Sequence, residues 1–531
     1  MGQGQAMISR RAWLAGAMLP LLAAQGCDAP ATPLAGGFVG THPERGHLLR
    51  AAMPQAPVRT QRTRVIIAGG GVAGLAAARA LRQRGIEDFV LLELEDQAGG
   101  NSRATQLGGL PCPLGAHYIP LPTDAAHEVQ DLLEEFGLRQ RVAGRWEYDE
   151  RHLCHSPQER LYRNGHWQDG LLPVQDIGVD TLAQYRRFAA RVAALMRSAP
   201  FALPAQRAAF APEHAALDAQ TMAQWLGREG LDDAQLHWYL DYCCRDDFGA
   251  GLASVSAWAG IHYFASRHGF HAPGDADAER EAVLTWPEGN GWLTQRLAQP
   301  LGERLRCARA VSRIATQRQG VTVQALDLAS GQLEQWEATH CIVALPVFVA
   351  ARVLAAPPGF VREAAAALRY APWLVANVHL RAALADHGGA APSWDNVVYG
   401  SHALGYVDAG HQGLAQRRPD SPRVLSWYHA LGLAPEARSA LLEQPWQHWA
   451  GLMFDELGEA HPDLRAKATR IAVARYGHAM ATPVPGLVQR LRANPAMPQA
   501  GPLLFAHADW SGYSVFEEAF TRGHLAGLAA G

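Results

Sequence analysis

The chain has 531 residues, 48% hydrophobic and 18% charged, with a formal net charge of −3. That length buries enough apolar surface for two or more packed domains. The near-neutral balance excludes a general affinity for nucleic acid. Lys467 is the only lysine, so arginine carries the positive charge and lysine is nearly absent as a catalytic candidate.

In chain order, the first feature is an export signal over residues 1–27. Ser9-Arg10-Arg11-x-Trp13-Leu14 resembles a twin-arginine signal, and the apolar run from Trp13 to Ala24 is too short to span a bilayer comfortably. Such a route implies export to the periplasm as a folded, cofactor-loaded protein. Cys27 closes the segment in a loose lipoprotein box, which implies a lipid anchor at the inner membrane. Ordinary cleavage near Ala24 or Ala29 is the alternative, giving a soluble periplasmic protein. Residues 28–60 are rich in Pro, Ala and Gly without periodicity and read as a linker.

A strand ending at Gly69 follows, then a helix from about Val72 to Arg84, then a strand over Asp88–Leu94. Gly69, Gly71 and Gly74 form G-x-G-x-x-G at the strand–helix turn. The first permits the tight turn, the second lets backbone approach a pyrophosphate, and the third lets helix pack on strand. The helix N-terminus offers free N–H groups to phosphate. Glu93 ends the second strand, where a carboxylate can accept the ribose hydroxyl protons. This order of elements predicts an α/β, Rossmann-like dinucleotide domain.

After about Thr123 the pattern is mostly helical, and strands return near Arg306. The predicted nucleotide-binding domain is therefore discontinuous: 61–125, 275–345 and 495–531. An α+β substrate domain is inserted as 126–274 and 346–494. Cys112, Cys154, Cys243, Cys244, Cys307 and Cys341 fit neither a disulfide scaffold nor a metal site, and read as buried thiols. No metal is expected.

The strand-turn-helix and the segments around it resemble the flavin amine oxidase and phytoene desaturase superfamily. After Glu93, Gly99 and Gly100 match the family's Gly-Gly-Arg, with Asn101 in place of arginine. Gly115 and Ala116 match a Gly-Ala pair near the flavin. Phe505, Ala506, Asp509 and Trp510–Tyr513 resemble the C-terminal flavin segment, and Glu517, Ala519 and Gly523 its final helix. The resemblance implies FAD, held non-covalently because no cysteine follows Cys341. It implies that Arg103 replaces the missing arginine at phosphate, that Val311 meets the adenine, and that Asp509 bonds the ribityl chain.

The family's lysine near flavin N5 falls in "WLVANVHL", where Asn377 or a neighbour stands. That departure argues against fast reaction with oxygen and leaves the electron acceptor open. Aromatics and acids crowd Tyr239–Phe264 and Trp394–Tyr399 and suit an ammonium group. His262 and His379 are candidate bases, and Tyr513 or Phe516 a candidate aromatic wall. The expected activity is oxidation of a small amine or polyamine by hydride transfer to flavin. Alternatives are a desaturase or dehydrogenase of lipid-like or carotenoid substrates, and a non-catalytic flavin-binding protein.

Overall fold

A computed structural model describes residues 34–51, 56–274, 282–413, 418–494 and 498–531. The twin-arginine segment and Cys27 lie outside the described residues.

A six-stranded sheet forms the nucleotide domain, in the order Leu305–Arg306, Phe89–Leu92, Val65–Ala68, His340–Val343, Leu503–Phe505, Gln499–Ala500. All neighbours run parallel except the last pair. Its central strands are short apolar runs because both faces are covered; Val65 to Ala68 are wholly buried. Helix Val72–Gln83 packs on this sheet against the C-terminal helix Phe516–Ala530. Small residues set that approach: a Cβ at Gly523 would stand 2.0 Å from the Ala73 carbonyl oxygen. A four-stranded sheet flanks it, Arg309–Gln317, Gly320–Asp327, Leu333–Ala338 and Arg59–Arg62.

The inserted domain centres on an eight-stranded sheet. Its longest strand, Ala468–Ala481, and Arg423–Ala430 both pair antiparallel with the central strand Tyr370–Leu380. Helices Val179–Ser198, Ala234–Phe248 and Ala257–Ala265 share its apolar core. The α/β nucleotide domain with an inserted α+β domain thus agrees with the sequence expectation.

The linker expectation fails over part of its length. Ala35–Phe38 is the edge strand of the eight-stranded sheet, Pro43–His47 is a short helix, and Arg59–Arg62 pairs parallel with Leu333–Ala338. A Gly/Pro-rich composition hides such pairing because edge strands need only backbone partners. Among the described residues no helix is long and apolar enough to cross a membrane.

Candidate active site

The glycine loop opens a cavity of about 800 Å³, within the range of cofactor sites. Gly69 holds φ +102°, which an L side chain rarely adopts, and a Cβ there would meet the Ala344 carbonyl oxygen at 2.4 Å. A Cβ at Gly74 would lie 1.9 Å from the Gly69 carbonyl oxygen. Around Gly71 the nearest atom to a Cβ is the Gly100 Cα at 3.9 Å, so the loop faces open space. That open cradle, at a helix N-terminus with unpaired N–H groups, is where a pyrophosphate fits.

The Glu93 carboxylate accepts from the Gly70 N–H at 2.7 Å and the Glu95 N–H at 2.8 Å. Burial pushes its pKa up, against those two donors. Gly100, Gly115, Ala116 and Val311 line the same cavity. A Cβ at Gly115 would stand 2.2 Å from the Asn101 carbonyl oxygen, so the Gly-Ala pair lies flat on the loop. Asp509 also lines the cavity, accepting from the Val347 N–H at 2.8 Å and the Tyr370 hydroxyl at 2.6 Å. Burial opposes its charge, but His507 and these donors hold its pKa below the usual range.

Three buried polar atoms of cavity-lining residues lack a protein partner, Asn290 Oδ1, Arg475 Nε and Glu517 Oε1. Buried orphans of this kind mark places where a ligand supplies the missing bond. The cradle, the Glu93 carboxylate beside it and these orphans fit a dinucleotide.

A second cavity, of about 400 Å³, shares His117, Tyr118, Asp246, Arg267 and Tyr428 with the first. Its walls carry Glu159, Asp169, Asp246 and Asp395 beside Tyr239, Tyr242, Tyr263 and Trp394. The His117 ring lies 4.4 Å from that of Tyr428 and 5.4 Å from that of Trp394. Burial lowers the His117 pKa to about 3, so this imidazole is neutral at ordinary pH. The Tyr118 hydroxyl donates to Asp246 at 3.3 Å. Arg267 is paired with Asp247 at 3.1 Å and lies over the Tyr263 ring.

Burial, then the Asp247 charge, raises the Asp246 pKa to about 7. Burial, then the charges of Glu159 and Asp246, pushes Asp395 well above its ordinary value. Both face the cavity, so they stay reachable although deep. The folded chain prefers the neutral acid at Asp246, so the penalty begins above the pKa of an exposed acid, near 4, and is complete above about 7. Asp246→Asn should therefore stabilise the ligand-free protein at pH 8 by on the order of 2 kcal/mol and change nothing at pH 4. Thermal melts at the two pH values check this.

The three residues assigned to catalysis lie elsewhere. His262 Nε2 is 2.9 Å from the Ala202 carbonyl oxygen, its ring rests against Trp258, and it lines neither cavity. Asn377 is fully buried between the Pro113 carbonyl, to which it donates, and the Ser426 hydroxyl. Its strand presents Tyr370 and Trp373 to the cavity instead; Asn377 is four residues beyond Trp373, about 13 Å along a strand. The strand is readable from sequence, but Trp373 and Asn377 share one strand face, so which of them meets the cavity is set by position along the strand and by what covers it, Pro113 and Ser426 at Asn377. Tyr513 is 1% exposed and donates to Glu518 at 2.8 Å. Tyr513→Phe should cost about 1–2 kcal/mol of stability and leave kcat unchanged, as melts and steady-state rates would show. Phe516, the other aromatic candidate, does line the cofactor cavity; His379 instead pairs with Thr469.

Arg103 also departs from expectation. Its Nε donates to the Gly100 carbonyl at 2.9 Å, the side chain is 6% exposed, and it is not in the cavity wall. It braces the Gly-Gly turn from behind. Trp373, Tyr428 and Tyr476 were missed because nothing in their local sequence separates cavity aromatics from core ones.

A parallel-sheet dinucleotide domain with an inserted domain over its cavity defines a nucleotide-cofactor oxidoreductase fold. Residues 72–526 match the model of the flavin containing amine oxidoreductase family. The chain belongs to that family, and FAD is the cofactor its dinucleotide site takes. "Putative flavin-containing monoamine oxidase AofH" of Mycobacterium tuberculosis is 29% identical over 287 residues, 53% of this chain and 56% of that protein. Polyamine oxidase 7 of Oryza sativa is 35% identical over 72 residues, 14% of this chain and 15% of that protein. The chain thus spans about half or less of the length of these curated relatives. The fold is similar to that of putrescine oxidase bound to putrescine, with a TM-score of 0.67 and 18% identity, covering 89% of this chain and 99% of the other. Cyclohexylamine oxidase from Brevibacterium oxydans IH-35A gives 0.63 and 18%, covering 88% and 98%.

Proposed function

We propose that the protein oxidises a small amine, with a diamine or polyamine favoured over a simple monoamine. The observation that carries this is the second cavity: it shares walls with the cofactor cavity and bears four carboxylates among aromatic rings. Carboxylates pair with ammonium and aromatic faces attract it. A lipid-like or carotenoid substrate would need an apolar tunnel, which those acids do not make.

FAD, when bound, supplies the two-electron acceptor for hydride. Gly71 and Gly100 would leave room for its phosphates, and Glu93 would accept from its ribose hydroxyls. Tyr428 and neutral His117 wall the junction, with Trp373 on the cofactor side, and would exclude water around the reacting carbon. Asp246 and Asp395 hold a distant ammonium, which orients the chain and leaves the other amine to react uncharged. No residue here is required as a base if that amine arrives neutral.

No lysine lines the cofactor cavity; Lys467 pairs with Asp463. The reading is that electrons leave to an acceptor other than oxygen. The reduced enzyme should reoxidise more slowly in air than with a soluble quinone, by stopped-flow absorbance; an equal or faster rate in air would count against it. We further propose periplasmic export through the twin-arginine segment, with Cys27 as the lipid-bearing residue. Assaying aldehyde and ammonia release over mono-, di- and polyamines tests the activity, and no release from any of them would refute it.

A further inference from the structure

We infer that Thr41–Arg50 forms part of the cofactor site, a strap that closes over the adenosine end of the cavity and retains the flavin nucleotide. This rests on the dinucleotide reading of the glycine loop.

Thr41, His42, His47, Leu49 and Arg50 line the same cavity as the glycine loop, Glu93 and Val311. Three anchors fix the segment. Upstream, the Val39 N–H donates to the Val473 carbonyl at 2.9 Å and the Thr41 hydroxyl to the Arg475 carbonyl at 2.8 Å. In the middle, the His42 N–H donates to Glu95 Oε1 at 3.0 Å and its Nδ1 lies 2.7 Å from Oε2. Arg45 grips Asp96 with both terminal nitrogens, at 2.9 and 3.0 Å. Downstream, the Arg352 Nε donates to the Leu49 carbonyl at 2.8 Å.

The anchors lie on opposite walls. Glu95 and Asp96 follow the ribose acid, and the Glu95 N–H donates to Glu93 itself. Arg352 belongs to helix Val347–Val353, beyond the strand His340–Val343 on the other side of the glycine loop. The strap therefore bridges the cleft. A ligand beneath a bridge leaves only from the open state, so its release rate scales with the fraction open. The Arg45–Asp96 pair is largely solvated and contributes little alone. The His42–Glu95 pair carries more, because Glu95 is 13% exposed.

The test uses the full-length holoprotein. Free flavin regains fluorescence, so dilution reads the release rate directly. Glu95→Ala removes both His42 bonds and should speed release about tenfold, equivalent to ~1.4 kcal/mol. Arg45→Asp should speed it about threefold, and Arg45→Asp with Asp96→Arg should restore the original rate. Release unchanged in folded Glu95→Ala overturns the inference. If Glu95→Ala does not fold, equal rates for the wild type and both Arg45 variants overturn it. A wild-type protein that binds no FAD would instead overturn the dinucleotide reading.

Discussion

Replacing Gly71 by valine will give a folded protein without flavin. A Cβ at this position meets nothing closer than 3.9 Å, so the chain itself tolerates the side chain. The space it enters is the cradle for the pyrophosphate, and backbone approach there is what holds the phosphates. FAD affinity should fall at least ~100-fold, with less than about 1 kcal/mol of stability lost by the apoprotein. Gly74→Ala will behave oppositely. Its Cβ would stand 1.9 Å from the Gly69 carbonyl oxygen, so helix and strand must separate. That should cost about 3 kcal/mol or more, and flavin will be lost with the fold. Flavin absorbance per protein, read beside a melting curve, separates the cases.

The second large effect is at Asp246 and Asp395. Changing both to asparagine should lower kcat/KM for a short diamine about 100-fold, the ~2.7 kcal/mol expected for a desolvated charge pair. An apolar monoamine should change by less than about threefold. The pH profile follows from the same groups. With its pKa near 7, Asp246 is protonated in mild acid and holds ammonium poorly. The kcat/KM for the diamine should therefore rise with pH through about 7, and Asp246→Asn should flatten that limb. Steady-state kinetics across pH with both substrates check it; equal losses for both would assign the acids to structure rather than recognition.

Much of this was legible in the sequence, and the reasons are local. Strand, glycine turn, helix and Glu93 follow one another within a single β-α-β unit, the Gly70–Glu93 bond spanning 23 residues, so spacing marks them. Asp509 stands in a dense C-terminal block of matching residues and lines the cavity, although its donors Val347 and Tyr370 lie 162 and 139 residues away. The acidic and aromatic crowd around Tyr239–Phe264 and Trp394–Asp395 does line one cavity, yet the pattern could not separate Asp246 from His262. They sit on neighbouring helices, Ala234–Phe248 and Ala257–Ala265; Asp246 meets the cavity and His262 the core, and only tertiary packing decides which. Asn377 failed because it lies further along the same strand face as Trp373, where Pro113 and Ser426 cover it. The strap over Thr41–Arg50 left no signal, since its anchors are distant in sequence, Glu95 at 53 residues from His42, Arg352 at 303 from Leu49 and Arg475 at 434 from Thr41.

The most direct test of the account is anaerobic mixing of the purified holoprotein with a short diamine while following the visible flavin band. Bleaching that saturates at lower concentration for the diamine than for a monoamine of similar length is the expected result. A band that no amine bleaches, in protein whose flavin a chemical reductant does bleach, would contradict amine oxidation.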